Sequence, residues 1–253
     1  MNMLNLKSIK TQLILFLGCF ALFIAVKDKD PAFLFTTLIA VIFASAIEAL
    51  ISYLKTRTLR IGESAVITGL IAGYVISSDE VWWKPALVCS LAILSKHLVR
   101  FQKKHIFNPA AFGIFTAILF FGIAAQWKAT YLWYVLAPLG IYFAHRLRKT
   151  EVLIGYAVVS CVLFGTQALL SKVPLGNISG YFSYFYIFVM IIEPKTSPSK
   201  PLGKYVFGTG IAVLIFIFTE AGVKFDAELL SLLLMNAAVP LLNKVSSKRG
   251  GLV

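Results

Sequence analysis

A small set of polar and charged side chains in this sequence lies inside or beside apolar runs. Asn108 and Pro109 open one such run in KKHIFNPAAFG, Asn236 lies within another in LMNAAVPLLNK, and Glu193, Thr196 and Ser197 stand together in IIEPKTSPSKP. Glu48 interrupts IFASAIEALISYL, where a mid-helix acid costs roughly 2.5–3.5 kcal/mol to insert and needs a partner or water. Amides, carboxylates and hydroxyls of this kind bind by hydrogen bonding, so they suit a polar ring, a small solute or an ion. Glu48 reads either as such a group or as an acid reaching the interface and pairing with Lys55 or Arg57. His97 and His105 flank a basic turn on different apolar runs, which suits structural or lipid-facing roles better than paired haem ligation. No Ser-His-acid arrangement, phosphate-binding loop or dinucleotide glycine pattern is present, so no catalytic residue is expected. Cys19, Cys89 and Cys161 are scattered through apolar runs without metal-ligand spacing, and no metal site is expected.

The elements that must position these residues are membrane helices. The 253 residues are 59% hydrophobic and 14% charged, and the mean hydropathy is +0.84, beyond what a soluble domain carries. Apolar runs near 11–26, 31–54, 61–77, 85–99, 106–125, 129–144, 152–171, 179–193, 204–220 and 227–243 predict about ten spans. Assigning their connections alternately to two sides puts 18 of the 24 Lys and Arg on one side and 6 on the other. Short basic loops mark the cytoplasmic side, which predicts a multi-pass cell-membrane protein with both termini cytoplasmic. The same asymmetry accounts for the formal net charge of +13: the cations are orientation signals near lipid headgroups, and no nucleic-acid face is expected.

Five spans per half is an odd number, so a duplicated chain would carry two halves of opposite orientation. The Asn, Ala-Ala and Pro shared by FNPAAFG and MNAAVPL, and the polar break before proline in AGYVISSDEVWWKP and VMIIEPKTSPSKP, predict such a repeat. Its halves would be 1–126 and 127–253 within one membrane domain. Pro109 suits the first turn of a helix, whose positive dipole end then points at whatever lies before it. The segment reads as a capped helix start packed through small residues, or as the lining of a site at the repeat interface.

Two of these stretches, SKHLVRFQKKHIFNPAAFG and EPKTSPSKPLGKYVFG, resemble the paired signatures of the RnfD protein of Rnf complexes and the NqrB protein of the sodium-translocating NADH:quinone reductase. The resemblance implies an all-α integral membrane fold of about ten helices in two inverted five-helix repeats, similar to urea transporters. It implies a membrane subunit of a flavin-linked electron-transport complex of the bacterial inner membrane, with other membrane or flavoprotein subunits as partners. Respiratory members carry a Ser-Gly-Ala-Thr motif after the fifth span whose threonine bears FMN. Here the connection is AAQWKATYLWY, in which only Ala129-Thr130 persists. Covalent FMN on Thr130 is therefore not expected, and any FMN or riboflavin would be bound noncovalently. The other reading is a permease or channel for a small polar solute, a flavin included, lined by Asn108, Asn236, Glu48, Glu193 and Thr196.

Overall fold

A computed structural model describes residues 8–102, 104–172, 180, 182–193 and 195–249. Pro194, to which the sequence assigns the stop of the eighth span, lies outside them, as do Lys7 and Lys103 of the basic loops. The side chains beyond Val245, Lys248 and Arg249 among them, are likewise not described.

The described chain is almost entirely helical and forms two compact units, one of residues 1–100 and 109–129, the other of 101–108 and 130–253. The first contains α1 (Ile9–Lys27), α2 (Pro31–Thr56), α3 (Glu63–Val75), α4 (Trp83–Leu98) and α5 (Pro109–Phe121). Two short paired strands, β1 (Arg100–Phe101) and β2 (Lys104–His105), follow α4. The second unit contains α6 (Trp133–Arg146), α7 (Thr150–Leu170), a π-helical turn at Tyr186–Met190, α8 (Pro201–Glu220) and α9 (Ala227–Arg249).

Among the described residues, five helices are long and apolar enough to cross a membrane: Ile9–Lys27, Pro31–Thr56, Thr150–Leu170, Pro201–Glu220 and Ala227–Val245. Exposure patterns agree with a lipid setting. On α2, Phe33, Thr36, Thr37, Ala40 and Ala44 are buried, while Phe35, Leu38 and Ile42 on the other side are exposed. A helix in water makes its outer face polar; this one is apolar all round. Glu63–Val75 and Pro109–Phe121 are apolar but short, 13 residues each, or about 20 Å against the ~30 Å of hydrocarbon. Among the described residues of the eighth expected span, 179–193, the π-turn at Tyr186–Met190 takes the place of a long helix. This is a membrane protein of α-helices, in which long apolar helices are accompanied by shorter ones.

Each unit begins with the same hairpin. In the first, Asp28, Lys29 and Asp30 donate their N–H groups to Ile24, Val26 and Ala25, with Lys29 left-handed at φ 53°. In the second, Leu147, Arg148 and Lys149 donate to Phe143, His145 and Ala144, with Arg148 at φ 55°. Both tie off one helix and start the next within three residues. Close packing follows. A Cβ on Gly69 of α3 would fall 2.6 Å from Val41 Cα of α2, and one on Gly208 of α8 would collide with the Val152 carbonyl of α7. Only glycine permits either approach.

Candidate functional site

Asn236 is the centre of a buried polar knot in the second unit. Pro240, one turn on, has no N–H to give the Asn236 carbonyl, which leaves this part of α9 irregular in its bonding. The Asn236 side chain is fully buried and uses both ends. Its Oδ1 accepts from the backbone N–H of Asn108 at 2.8 Å across 128 residues of sequence, and its Nδ2 donates to the Thr196 carbonyl at 2.9 Å. Asn108, 1% exposed, turns its own Nδ2 toward the Met190 carbonyl at 3.5 Å, the last residue of the π-turn. The Asn236 side chain thus pins the approach to α5 and the elbow, and the Asn108 side chain adds the end of the π-turn.

The described residues of that elbow, 191–193 and 195–200, are bonded to one another. Thr196 Oγ1 donates to Glu193 Oε2 at 3.2 Å, and Ser197 Oγ to the Glu193 carbonyl at 2.8 Å. Its chain end is fastened by Asn243, whose Oδ1 accepts from Ser199 N at 3.0 Å and from Ser199 Oγ at 3.1 Å. His105 Nε2 stands 4.0 Å from Glu193 Oε1. Asn108, Glu193, Thr196, Ser197 and Asn236 are therefore assembled in one place. Such a cluster of amide, hydroxyl and carboxylate, beside a π-turn and short of charge, suits binding a polar group rather than transforming one.

Sequence reasoning missed Lys149 here. It is 4% exposed, and its Nζ donates to the elbow carbonyls of Pro198 at 2.8 Å and Ser197 at 3.5 Å. Burial, reinforced by the ammonium of Lys204, lowers its pKa to about 8 from an ordinary 10.5, against the support of Glu151. Lys204 is itself held by Glu151 at 3.2 Å. The sequence counts Lys149 among the exposed orientation signals; the available hint was its place in a three-residue turn between two spans.

Pro109 and Glu48 belong to the first unit. Pro109 is the first residue of α5 and is buried. Glu48 does not pair with Lys55 or Arg57 directly. Lys96 Nζ lies 2.8 Å from its Oε1 and 2.8 Å from Ser64 Oγ, while His97 Nε2 lies 3.1 Å from its Oε2. Lys55 reaches only His97, at 3.2 Å from Nδ1, and Arg57 lies over the Tyr53 ring. An ammonium can only donate, so Nδ1 accepts and the proton sits on Nε2, facing Glu48. The reason for the difference is helical spacing: Lys55 lies seven residues along the same helix, whereas α4 brings Lys96 and His97 alongside. Glu48 is an ion-paired strut in the first unit.

The first unit has an elbow too, after α3. Ser78 Oγ donates to Asp30 Oδ2 at 2.8 Å, and Ser78 N to Gln126 Oε1 at 3.0 Å. Asp30 also caps α2 by accepting from Phe33 N at 3.0 Å, and it pairs with Lys128 at 2.9 Å. Burial opposes its charge, but Lys128, Ser78 and the Phe33 N–H outweigh that and hold the carboxyl below its usual value.

A model of the NQR2, RnfD, RnfE family matches residues 2–144 and again 143–250. The chain belongs to this family. The two matches cover it almost from end to end, joining the SKHLVRFQKKHIFNPAAFG and EPKTSPSKPLGKYVFG stretches, which meet in the knot around Asn236. No curated protein matches the chain.

The residues around Thr130 do not suit the flavin phosphoester that the family resemblance implies. Thr130 starts a 3₁₀ turn, half-buried, with its Oγ1 3.3 Å from Ser183 Oγ. Immediately before it, Ala129 is fully buried at φ 73°, and Lys128, where the motif has glycine, is turned inward to Asp30. A left-handed alanine costs of order 1–3 kcal/mol.

Proposed function

We propose that this protein is a membrane subunit of a flavin-linked electron-transport complex of Rnf/Nqr type, and that it holds flavin noncovalently at the Asn108–Asn236–Thr196 knot. Membership of the family supports the complex. The observation that carries the site is the double use of Asn236, which makes the two family-like stretches one structure. Asn108, Thr196 and Glu193 offer donors and acceptors of the kind a flavin's pyrimidine edge requires, and a bound flavin would supply the one-electron chemistry. Thr130 carries no covalent flavin in this reading.

The architecture that goes with it is ten membrane segments in two inverted repeats with both termini cytoplasmic. Its support is the matched hairpins at Lys29 and Arg148, and the matched elbows: Asp30 to Ser78 and Lys149 to Ser197 each join residues 48 apart. Short segments ending in polar elbows are where inverted-repeat membrane proteins keep their sites. The commitment of Lys128 and Thr130 to internal partners favours a second reading, a permease for a small polar solute, in which the same knot lines the path.

Extraction from its native membrane separates the two. The first reading expects a released, dialysable flavin, co-elution with flavoprotein or iron–sulfur subunits, and flavin loss in Asn236→Ala without loss of assembly. A colourless chain that elutes alone and takes up solute in proteoliposomes would transfer the assignment to the permease.

A further inference from the structure

The turn between α2 and α3 carries charge that the flavin reading does not use. Residues 50–62 hold Lys55, Arg57 and Arg60 and no acid. All three cations are exposed, and so are the aliphatic side chains interleaved with them: Leu54, Leu59 and Ile61 are 64%, 75% and 63% exposed. The end of α4 adjoins this surface, since Lys55 Nζ lies 3.2 Å from His97 Nδ1. The nearest acids in sequence are engaged elsewhere, Glu48 by Lys96 and His97, and Glu63 by Thr11 Oγ1 at 2.7 Å. Neither Arg57 nor Arg60 has an acid partner among the described residues.

The turn is built rather than loose. Arg57 caps α2 in the left-handed region at φ 56°, its N–H donating to the Tyr53 carbonyl at 2.8 Å. Ser52 Oγ donates to the Thr58 carbonyl at 3.0 Å, and Thr56 Oγ1 lies 2.7 Å from Thr58 Oγ1. The Arg57 guanidinium is held 5.7 Å from the centre of the Tyr53 ring. A guanidinium that lends one face to a ring keeps its planar fork of N–H donors for a phosphate. Depth agrees as well. The 26 residues of α2 span about 39 Å, against ~30 Å of hydrocarbon, so its last turn reaches the headgroup layer.

We propose that the 53–61 turn binds the phosphate headgroup of an anionic phospholipid, with Arg57 and Arg60 on the phosphate and Leu54, Leu59 and Ile61 against the acyl chains. A soluble acidic protein would also meet the cations, but a surface at headgroup depth with bare aliphatic side chains between its arginines meets lipid first. Nothing in this site depends on flavin being bound.

The test titrates the full chain in detergent with phosphatidylglycerol, with zwitterionic phosphatidylcholine and with glycerol 3-phosphate, counting bound molecules by native mass spectrometry. Phosphatidylglycerol should bind in preference to phosphatidylcholine, and glycerol 3-phosphate, lacking acyl chains, should not displace it. Arg57→Gln with Arg60→Gln should weaken phosphatidylglycerol about 25-fold, at about fivefold for each cation near a lipid surface. Lys224→Gln removes an exposed cation from the turn before α9 and should leave the preference unchanged. Equal binding of the two lipids, a preference that survives the double arginine variant, or an equal loss in Lys224→Gln would overturn the site. Full displacement by glycerol 3-phosphate would make it a site for a free anion instead. If the double variant keeps its lipid but loses a soluble protein that co-purifies with the wild type, the surface belongs to that protein and the lipid site falls.

Discussion

The two units fasten their elbows with opposite charges, an acid with its counter-ion in the first and a base among carbonyl oxygens in the second. In the first unit the acid Asp30 receives Ser78 and Lys128, and the neighbouring acids Glu80 and Glu48 have Lys84 and Lys96. Every one of these charges has an opposite charge at hand. In the second unit the base Lys149 is more deeply buried and meets only carbonyl oxygens. An elbow held by paired charges resists hydration, whereas one held by an underpaid charge gains by it. The polar knot at Asn236 lies beside the second kind.

The sharpest way to break this contrast is to remove the side chain that closes each elbow. Asn236→Ala leaves the buried Asn108 N–H and Thr196 carbonyl without partners, at about 2–5 kcal/mol. Gln126→Ala in the first unit removes only the acceptor of the half-buried Ser78, at about 0.5–1 kcal/mol. Thermal unfolding in one detergent compares them; equal losses would mean that the knot is no more integral than its counterpart.

A smaller effect separates packing from polarity. Gly208→Ala and Gly69→Ala each force a methyl into a neighbouring backbone and should cost about 1–3 kcal/mol. Gly165→Ala, with nothing within 4 Å of its Cβ, should be neutral or slightly stabilising. Similar losses for the first two would sharpen the comparison, since the units would then differ in their polar fastenings and not in how closely their helices pack.

Next comes the ion-paired strut. Glu48→Gln leaves Lys96 without its counter-charge in a partly exposed setting, for about 1–2 kcal/mol, and Glu48→Met with Lys96→Met should recover most of it. If the double replacement is no better than the single one, the first unit's charges are not paired struts and the contrast with Lys149 weakens.

Much of this architecture is legible in the sequence, for a definite reason. Hydropathy reports the length of an apolar run, so Pro31–Thr56, Thr150–Leu170 and Pro201–Glu220 fall close to the expected 31–54, 152–171 and 204–220. It does not report hydrogen-bond register, so the π-turn at Tyr186–Met190 is hidden within 179–193. The pairing of Asn108 with Asn236 is suggested by the shared Asn, Ala-Ala and Pro pattern. The role of Lys149 is not, because burial of a loop lysine depends on a helix, α8, that arrives some fifty residues later. The partners of Glu48 escape the sequence for the same reason: the chain offers nearby Lys55 and Arg57, and the fold supplies Lys96 and His97 from another helix.

The smallest predicted effect tests the opposed charges directly. Asp30 is held below its usual pKa because Lys128, Ser78 and the Phe33 N–H outweigh the cost of burial. A carboxyl whose pKa is lower folded than unfolded contributes fully above its unfolded value, 3.8, and loses that contribution as pH falls through the folded one. The pKa of Lys149 is also lower folded than unfolded, so its effect has the same sign, stability rising with pH, but its window lies between about 8 and 10.5. Between these windows neither residue titrates. Because Asp30 is partly solvated, its pairing is worth about 0.5–1 kcal/mol. Asp30→Asn should therefore lower stability by that amount at pH 6, flatten the acid side of the profile below pH 4, and leave the alkaline side unchanged; Lys149→Met should alter only the alkaline side. Melting curves of both variants from pH 3 to 10 make the comparison. If one replacement changed both limbs, the two residues would be titrating as one system, and the assignment of a charge-paired elbow to the first unit and a carbonyl-held lysine to the second would fall.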